Sequence, residues 1–335
     1  MTSRYSFLCF LLISTCTITV YASGNTSSTS HNKIKNTSCT LFPADSVWNK
    51  PVDKLPVHPL SSTYINNINT YHFGALPIKA DFGASWYGQK LGISFDIIPA
   101  NQPAVPISFD WPDESDLGDS SSCDTSDNLG TGCYPIPAKP TIEDGEDSHM
   151  ILLQDGKCKL YEVFDTRRES GKWYGASGAI WDLTKNEMRP EGVTSADAAG
   201  LPILPGLIRY DEVYKDKEIR HVIRVTLEQI QSAYLRPPAS HSDGQAGHDR
   251  ELPPMGLQLR LKANYDISSF DPHIKVILKA MKKYGLIIAD TGGQMYISGQ
   301  HDERWNNHLL KQLMRVKITD VSHVIPHSSP IFPRS

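Results

Sequence analysis

The chain has 335 residues, 39% of them hydrophobic and 21% charged, with a formal net charge of −4. That apolar share supplies a sizeable core, and although the length exceeds the usual single domain, an all-β fold can accommodate it as one unit. The weakly acidic balance argues against nucleic acid or an anionic membrane as the main partner.

Residues 1–22 read as an export signal, with Arg4 as a weak basic start, an apolar run from Phe7 to Ile13, and Val20-Tyr21-Ala22 as a small-residue cleavage site. The run is too short to span a bilayer. A lipid anchor on Cys16 fits less well than simple export, because Thr15 is bulky for the position before a lipidated cysteine. The expected location is therefore periplasmic or extracellular. Cleavage would leave Cys39, Cys123, Cys133 and Cys158, which allow three pairings. Cys123 and Cys133 flank one polar loop and pair most naturally, leaving Cys39 with Cys158.

Residues 23–40 are polar and of low complexity, the pattern of a flexible leader, and carry Asn25 and Asn36 in N-x-Ser/Thr sequons. A single β-rich domain is expected over residues 41–325, with a loose tail over 326–335. Within it, a short helix or turn is expected near Ser62–Ile68, and Ile93–Ile98 and Val105–Phe109 read as strands between Gly and Pro. The loop 110–132 has enough carboxylates for a calcium ion but not the spacing of an EF-hand, so a solvated loop closed by Cys123–Cys133 is the expectation.

Two hairpins follow. Asp155-Gly156 is a turn signal that would pair Leu153 with Cys158, Ile151 with Leu160 and His149 with Glu162. The second would join Leu207–Val213 to Ile219–Leu227, setting Asp211 against His221 and Glu212 against Arg220, with Arg209 on the face of Asp211 and His221. Further on, Leu257–Ala263 is a strand, and Asp271–Tyr284 a helix capped by Asp271, started by Pro272 and ended by Gly285. Leu286–Ala289 and Met295–Ser298 are strands, and Asn307–Arg315 is a second helix. The expected fold is mainly β, an antiparallel sandwich or jelly roll with two peripheral helices in the C-terminal third.

The candidate chemistry lies in two His–carboxylate pairs, His149/Glu162 and Asp211/His221. A carboxylate beside an imidazole fixes its tautomer and raises its basicity, which suits a general base or a metal ligand. Neither H-x-H nor H-E-x-x-H spacing is present, so the metal signal is weak, and the bland alternative is a pair of satisfied core networks. Asp197 reads either as a helix-capping carboxylate or as the second acid of a two-carboxylate glycosidase centre with Asp211. Trp48, Trp86, Trp111, Trp173, Trp181 and Trp305 offer sugar-stacking rings, most of them expected in the core. Ser177 and Ser195 lack the context of a nucleophile elbow.

The stretches GALPIKADFG, VPISFDWPDESD, YPIPAKPTIE, RPEGVTSADAAGLPILPGLIRYDEV and YGLIIADTGGQMYISGQHDERW resemble a widespread family of predicted secreted, mostly bacterial proteins without an assigned activity, over roughly residues 42–318. The resemblance implies export and one integrated domain and carries over no catalytic residues. Residues 119–132 look like an addition to the family's shorter DESD-to-YPIP connection, so the resemblance implies that the disulfide expected there would be local to this chain. The expected function is a secreted carbohydrate-active enzyme, glycoside hydrolase or polysaccharide lyase, acting on a polysaccharide or cell-surface glycan. Asp211 and His221 would form the acid–base centre and Arg209 would stabilise charge, with Asp197, Glu162 and His149 in support. The alternatives are a non-catalytic glycan-binding protein and a metal-dependent jelly-roll enzyme. No cofactor is required unless a divalent metal is used.

Overall fold

The structure is a computed structural model that describes residues 32–74, 76–126, 130–293 and 295–325. The expected export signal, the first part of the leader with Asn25, and the tail from residue 326 lie outside these residues. Residues 32–40 of the polar leader pack onto the body. Asn32, Ile34 and Cys39 are buried, and Asn32 donates to the Pro205 carbonyl at 3.2 Å.

In chain order, helix α1 (Ser61–Tyr71) precedes strands β1 (Lys79–Asp81), β2 (Asp96–Ile98), β3 (Val105–Phe109) and β4 (Thr131–Tyr134). Next come β5 (Met150–Gln154), β6 (Lys159–Phe164), β7 (Arg167–Glu169), β8 (Lys172–Gly175), β9 (Ser177–Asp182) and β10 (Ile223–Leu227). The last part holds β11 (Gln258–Leu261), α2 (Pro272–Lys283), β12 (Leu286–Thr291), β13 (Tyr296–Ser298), α3 (Asn307–Leu310) and β14 (Val321–Val324).

The strands form three sheets, ordered β1-β13-β10-β12-β11-β14, β2-β5-β6-β9 and β4-β3-β8-β7, and none closes into a barrel. The expectation of a mainly β chain with few helices holds, but the sheets are mixed rather than antiparallel. The pairs β1–β13, β10–β12, β2–β5 and β3–β8 run parallel. Parallel neighbours need crossover connections, and the chain between β10 and β12 is one, carrying α2. Short strands between Gly and Pro signal turns, but not which strands the intervening chain brings together.

The middle sheet is covered on both sides. Ile151, Leu153, Leu160, Ala179 and Trp181 face the main core, while Met150, Leu152 and Val163 pack with Ile107, Phe109 and Tyr134 in a second cluster. Burial on two faces is why β5 reads as an unbroken apolar run rather than an alternation. Helix α2 forms as its caps dictate, with Asp271 accepting from His273 N at 2.8 Å and Ile274, Ile277, Leu278 and Met281 buried. The helix near residue 62 is longer than expected, so one helix lies outside the C-terminal third.

The first hairpin forms two residues out of the expected register, pairing Ile151 with Glu162 and Leu153 with Leu160. The loop takes in Lys157 and Cys158 because both ends are tied to the leader. Ser38 N and Oγ donate to Asp155 Oδ1 at 2.7 and 2.6 Å, and Cys158 is bonded to Cys39. A shift of two keeps every side chain on its face but separates His149 from Glu162. The second hairpin does not form. Tyr210–Asp216 winds into a wide helical turn that ends at Lys217, whose φ is +55°.

Both expected disulfides are present, Cys39–Cys158 spanning 119 residues and Cys123–Cys133 spanning 10. Loop-closure entropy gives them unequal weights, about 5 kcal/mol for the long loop and about 3 kcal/mol for the short one, as upper estimates. Cys39→Ser/Cys158→Ser should lower the urea midpoint clearly more than Cys123→Ser/Cys133→Ser. Equal losses would contradict the weighting.

Candidate functional site

The loop Thr194–Gly200 is held by its own polar groups. Asp197 N donates to Ser195 Oγ at 2.9 Å and Gly200 N to Asp197 O at 3.0 Å. Gly200 has a φ of +67°, and a Cβ there would fall 1.9 Å from Ser240 Oγ, so only glycine lets the loop turn here. No helix begins at Asp197, which corrects its expected capping role. Its carboxylate instead takes a forked pair from Arg224 on β10, Nε to Oδ2 at 2.8 Å and Nη2 to Oδ1 at 2.7 Å. The same Nη2 donates to Asp290 Oδ2 on β12 at 2.6 Å, and Nη1 to Ser298 Oγ on β13 at 2.7 Å. Arg224 and Asp197 are both buried.

A cleft of about 790 Å³ opens over this cluster, lined by Asp197, Asp290, Asp243, His241, His149 and Trp111 among others. Burial, helped by the charges of Asp197 and Asp243, holds the Asp290 carboxyl well above the usual carboxylate range despite Arg224. Oδ2 accepts from Arg224, which leaves Oδ1 as the oxygen free to carry a proton. Asp243 accepts from Thr291 Oγ1 at 2.5 Å through Oδ2, while its Oδ1 has no partner among the described residues. His241 Nδ1 lies 2.7 Å from the Ala198 carbonyl, which can only accept, so Nδ1 carries the hydrogen. Trp111, 49% exposed, stacks on Phe164 at 6.2 Å at one wall.

His149 lines the cleft as a cation rather than a base. Its Nδ1 meets Glu143 Oε2 at 2.5 Å and its Nε2 meets the Ala196 carbonyl at 3.1 Å, so both nitrogens face acceptors. Burial alone would lower its pKa, but the hydrogen bond and charge of Glu143, with Asp147, push it up to about 9. The His149/Glu162 pairing is therefore replaced by His149/Glu143.

Glu162 lies beneath the cleft, fully buried, and accepts from Trp181 Nε1 at 3.1 Å and from the N–H groups of Ile203 and Leu204 at 3.0 and 2.9 Å. Burial raises its pKa to about 7, against the pull of those backbone donors and with help from the charge of Asp197. It anchors the Leu201–Gly206 segment. The Asp211/His221 centre does not form. Glu212 takes its place, with Arg209 Nη2 at 2.5 Å and His221 Nε2 at 3.2 Å, in a network closed off from the cleft. Asp211 points outward to Lys215 at 2.7 Å and Arg304 at 3.4 Å. The wide helical turn explains the exchange, because Arg209 and Glu212 are three apart and Asp211 and Lys215 four, which are helical spacings.

Of the expected residues, Asp197 and His149 reach the cleft, whereas Asp211, His221, Arg209 and Glu162 do not. Asp290, Asp243 and His241 were not anticipated. The strand expected over Leu286–Ala289 stops one residue short of Asp290, and that acid after a buried run was the available signal. Ser177 and Ser195 donate to backbone carbonyls, at 2.8 Å to Ser195 and 2.6 Å to Leu201. Among the described residues, no group of three or more His, Cys, Asp or Glu is placed to hold a metal ion.

Two outcomes follow. Glu212→Gln should cost roughly 3 kcal/mol, since it leaves Arg209 buried without its counter-charge. Asp211→Asn should cost under about 1 kcal/mol, its partners being solvated. The reverse order in thermal melts would restore the hairpin.

The second concerns pH. Glu162, shifted from 4.5 to about 7, and His149, from 6.5 to about 9, both bind protons more tightly when folded. Their contributions are complete below the unfolded values and vanish as pH rises through the folded ones, each on the order of 3 kcal/mol. The melting temperature should fall from pH 5 to pH 9, and Glu162→Gln, which resembles the protonated acid, should flatten the part between pH 5 and 7. A melting temperature that rises over this range would contradict the assignment.

Comparison of the chain with protein-family models, curated proteins and solved structures finds no match, so any function has to be read from the cleft itself.

Proposed function

We propose that the chain is an exported glycoside hydrolase that cleaves by acid–base catalysis in this cleft. The observation that carries the reading is Asp290, a carboxyl at the cleft whose pKa burial and neighbouring acids raise well above the usual range, beside the carboxyl of Asp243. An acid that holds its proton more tightly than usual, with a second carboxyl beside it, matches the pairing of a general acid with a general base. Asp290 Oδ1 would protonate the leaving oxygen, and the carboxylate of Asp243, whose Oδ1 is buried and without a partner among the described residues, would turn to take a proton from water as the glycosidic bond breaks. Arg224 positions the acid without discharging it, and Trp111 gives a sugar ring an apolar face. His241 would meet a substrate hydroxyl through Nε2.

Between hydrolase and lyase, the cleft favours the first. A uronate lyase must neutralise the substrate's carboxylate, but Asp113, Glu114 and Asp147 line this cleft and have no ion-pair partner among the described residues. A neutral glycan escapes that repulsion.

Export is supported by the two disulfides and the signal-like first 22 residues, and no described helix is long and apolar enough to cross a membrane. We propose also that the chain belongs to the exported family it resembles; what supports this is that the longest shared motif supplies Asp197 and the floor of the cleft.

On a panel of neutral polysaccharides, new reducing ends should appear with at least one. On that substrate Asp290→Asn should lower kcat by about 10²–10⁴-fold with little change in melting temperature. Retention of a glycan without cleavage would favour the non-catalytic binding protein, and full activity in Asp290→Asn would remove Asp290 as the acid.

A further inference from the structure

Away from the cleft, the segment Trp86–Gln89 forms a tight turn in which Trp86 N donates to Gln89 O at 2.8 Å and Gln89 N to Trp86 O at 3.1 Å. Tyr87 and Gly88 both have positive φ, +51° and +86°. Turns of this kind normally place Asn or Gly at the first of these positions, because a bulky side chain is strained there. This chain instead presents a tyrosine, 94% exposed, edge-on to Trp86, 52% exposed, with ring centroids 5.2 Å apart. Trp86 is half-covered and Tyr87 almost bare among the described residues, so core packing does not account for this pair.

Beside the turn runs a groove of about 260 Å³ with Phe82, Leu310 and Met314 among its lining. Two lysines also line it, Lys311 with Nζ 5.9 Å from the Trp86 ring and Lys79 with Nζ 5.2 Å from the Tyr296 ring. Neither lysine has a carboxylate partner among the described residues, and no carboxylate lines the groove. Glu303, which bonds to Ser85 next to Trp86, is shared with His301. No residue lines both this groove and the acidic cleft.

An exposed aromatic pair, with one ammonium beside Trp86 and a second beside Tyr296 across the groove and neither paired to a carboxylate, matches a ligand with flat apolar faces and anionic groups at its edges. We propose that this groove is a second, non-catalytic site that binds an acidic sugar chain. Its pyranose faces would lie on Trp86 and Tyr87, and its carboxylate or sulfate groups would meet Lys79 and Lys311. The site is independent of the cleft and its opposite charge gives it a different ligand.

The test is titration of the full chain with a galacturonate hexamer, a heparin-derived hexasaccharide and neutral cellohexaose. At least one acidic hexamer should bind, and cellohexaose about tenfold more weakly or not at all. Binding of the galacturonate hexamer shows that carboxylates suffice, and binding of the heparin hexasaccharide alone shows that sulfate is needed. Trp86→Ala and, separately, Lys79→Gln/Lys311→Gln should each weaken that binding by about tenfold or more, and added salt should weaken it too. Asp290→Asn should leave it unchanged. These side chains are partly or largely exposed, so unaltered melting temperatures would show that the variants fold. The proposal is overturned if cellohexaose binds as tightly as the acidic probes, or if neither acidic probe binds at millimolar concentration. Wild-type affinity in either groove variant, or loss of affinity in Asp290→Asn, would overturn it equally.

Discussion

The structure turns on one buried guanidinium. Arg224 stands on β10, inside the largest sheet, and spends its donors on Asp197 in the motif loop, Asp290 on β12 and Ser298 on β13. A buried cation left alone would be prohibitive, so these partners are obligatory, and the three chain segments that supply them are fixed relative to one another. Asp197 pairs with two nitrogens and is spent on architecture. Asp290 receives one hydrogen bond from Arg224 on one oxygen and stays next to the cleft, and burial, joined by the negative charges of Asp197 and Asp243, raises its pKa against the pull of that shared cation. One interaction thereby both ties these segments together and leaves at the cleft an acid whose pKa is raised.

The other buried charges divide by the same criterion. Glu162 and Glu212 are buried like Arg224, but every oxygen is engaged by the protein's own donors and neither lines the cleft. Such groups specify a geometry, here the Leu201–Gly206 segment and the turn after Arg209, and have no free valence for a substrate. His149 is intermediate. It borders the cleft, but both of its nitrogens are committed, so it contributes charge and shape rather than proton transfer.

How much of this was legible in the sequence depends on the range of the signal. Helix α2 carried its own start and stop in Asp271, Pro272 and Gly285, and the apolar run Met150–Leu153 identified a strand. The cysteine pairing followed by elimination. The site was harder. The Asp155-Gly156 turn fixed side-chain faces but not register, because Ser38 and Cys39, more than a hundred residues earlier, pull on that turn. Around Arg209 the strand reading followed the apolar alternation and missed the competing i,i+3 and i,i+4 charge pairs, so Asp211 and Glu212 exchanged roles. That Asp197 mattered was visible from its motif. That its partner is Arg224 and its neighbour Asp290 depends on the parallel pairing of β10 with β12, which no local pattern encodes.

The central claim is that Asp290 remains protonated where ordinary carboxyls have ionised, and it can be measured without knowing the substrate. Following the side-chain carboxyl carbon of Asp290 by NMR across pH in the wild type and in Asp290→Asn assigns its titration directly. The account predicts a midpoint well above the ordinary 3.8, lowered when Asp197→Asn removes the adjacent negative charge. A midpoint at or below 3.8 would contradict it, leaving Arg224 as the holder of two ionised acids and the cleft without its proton donor.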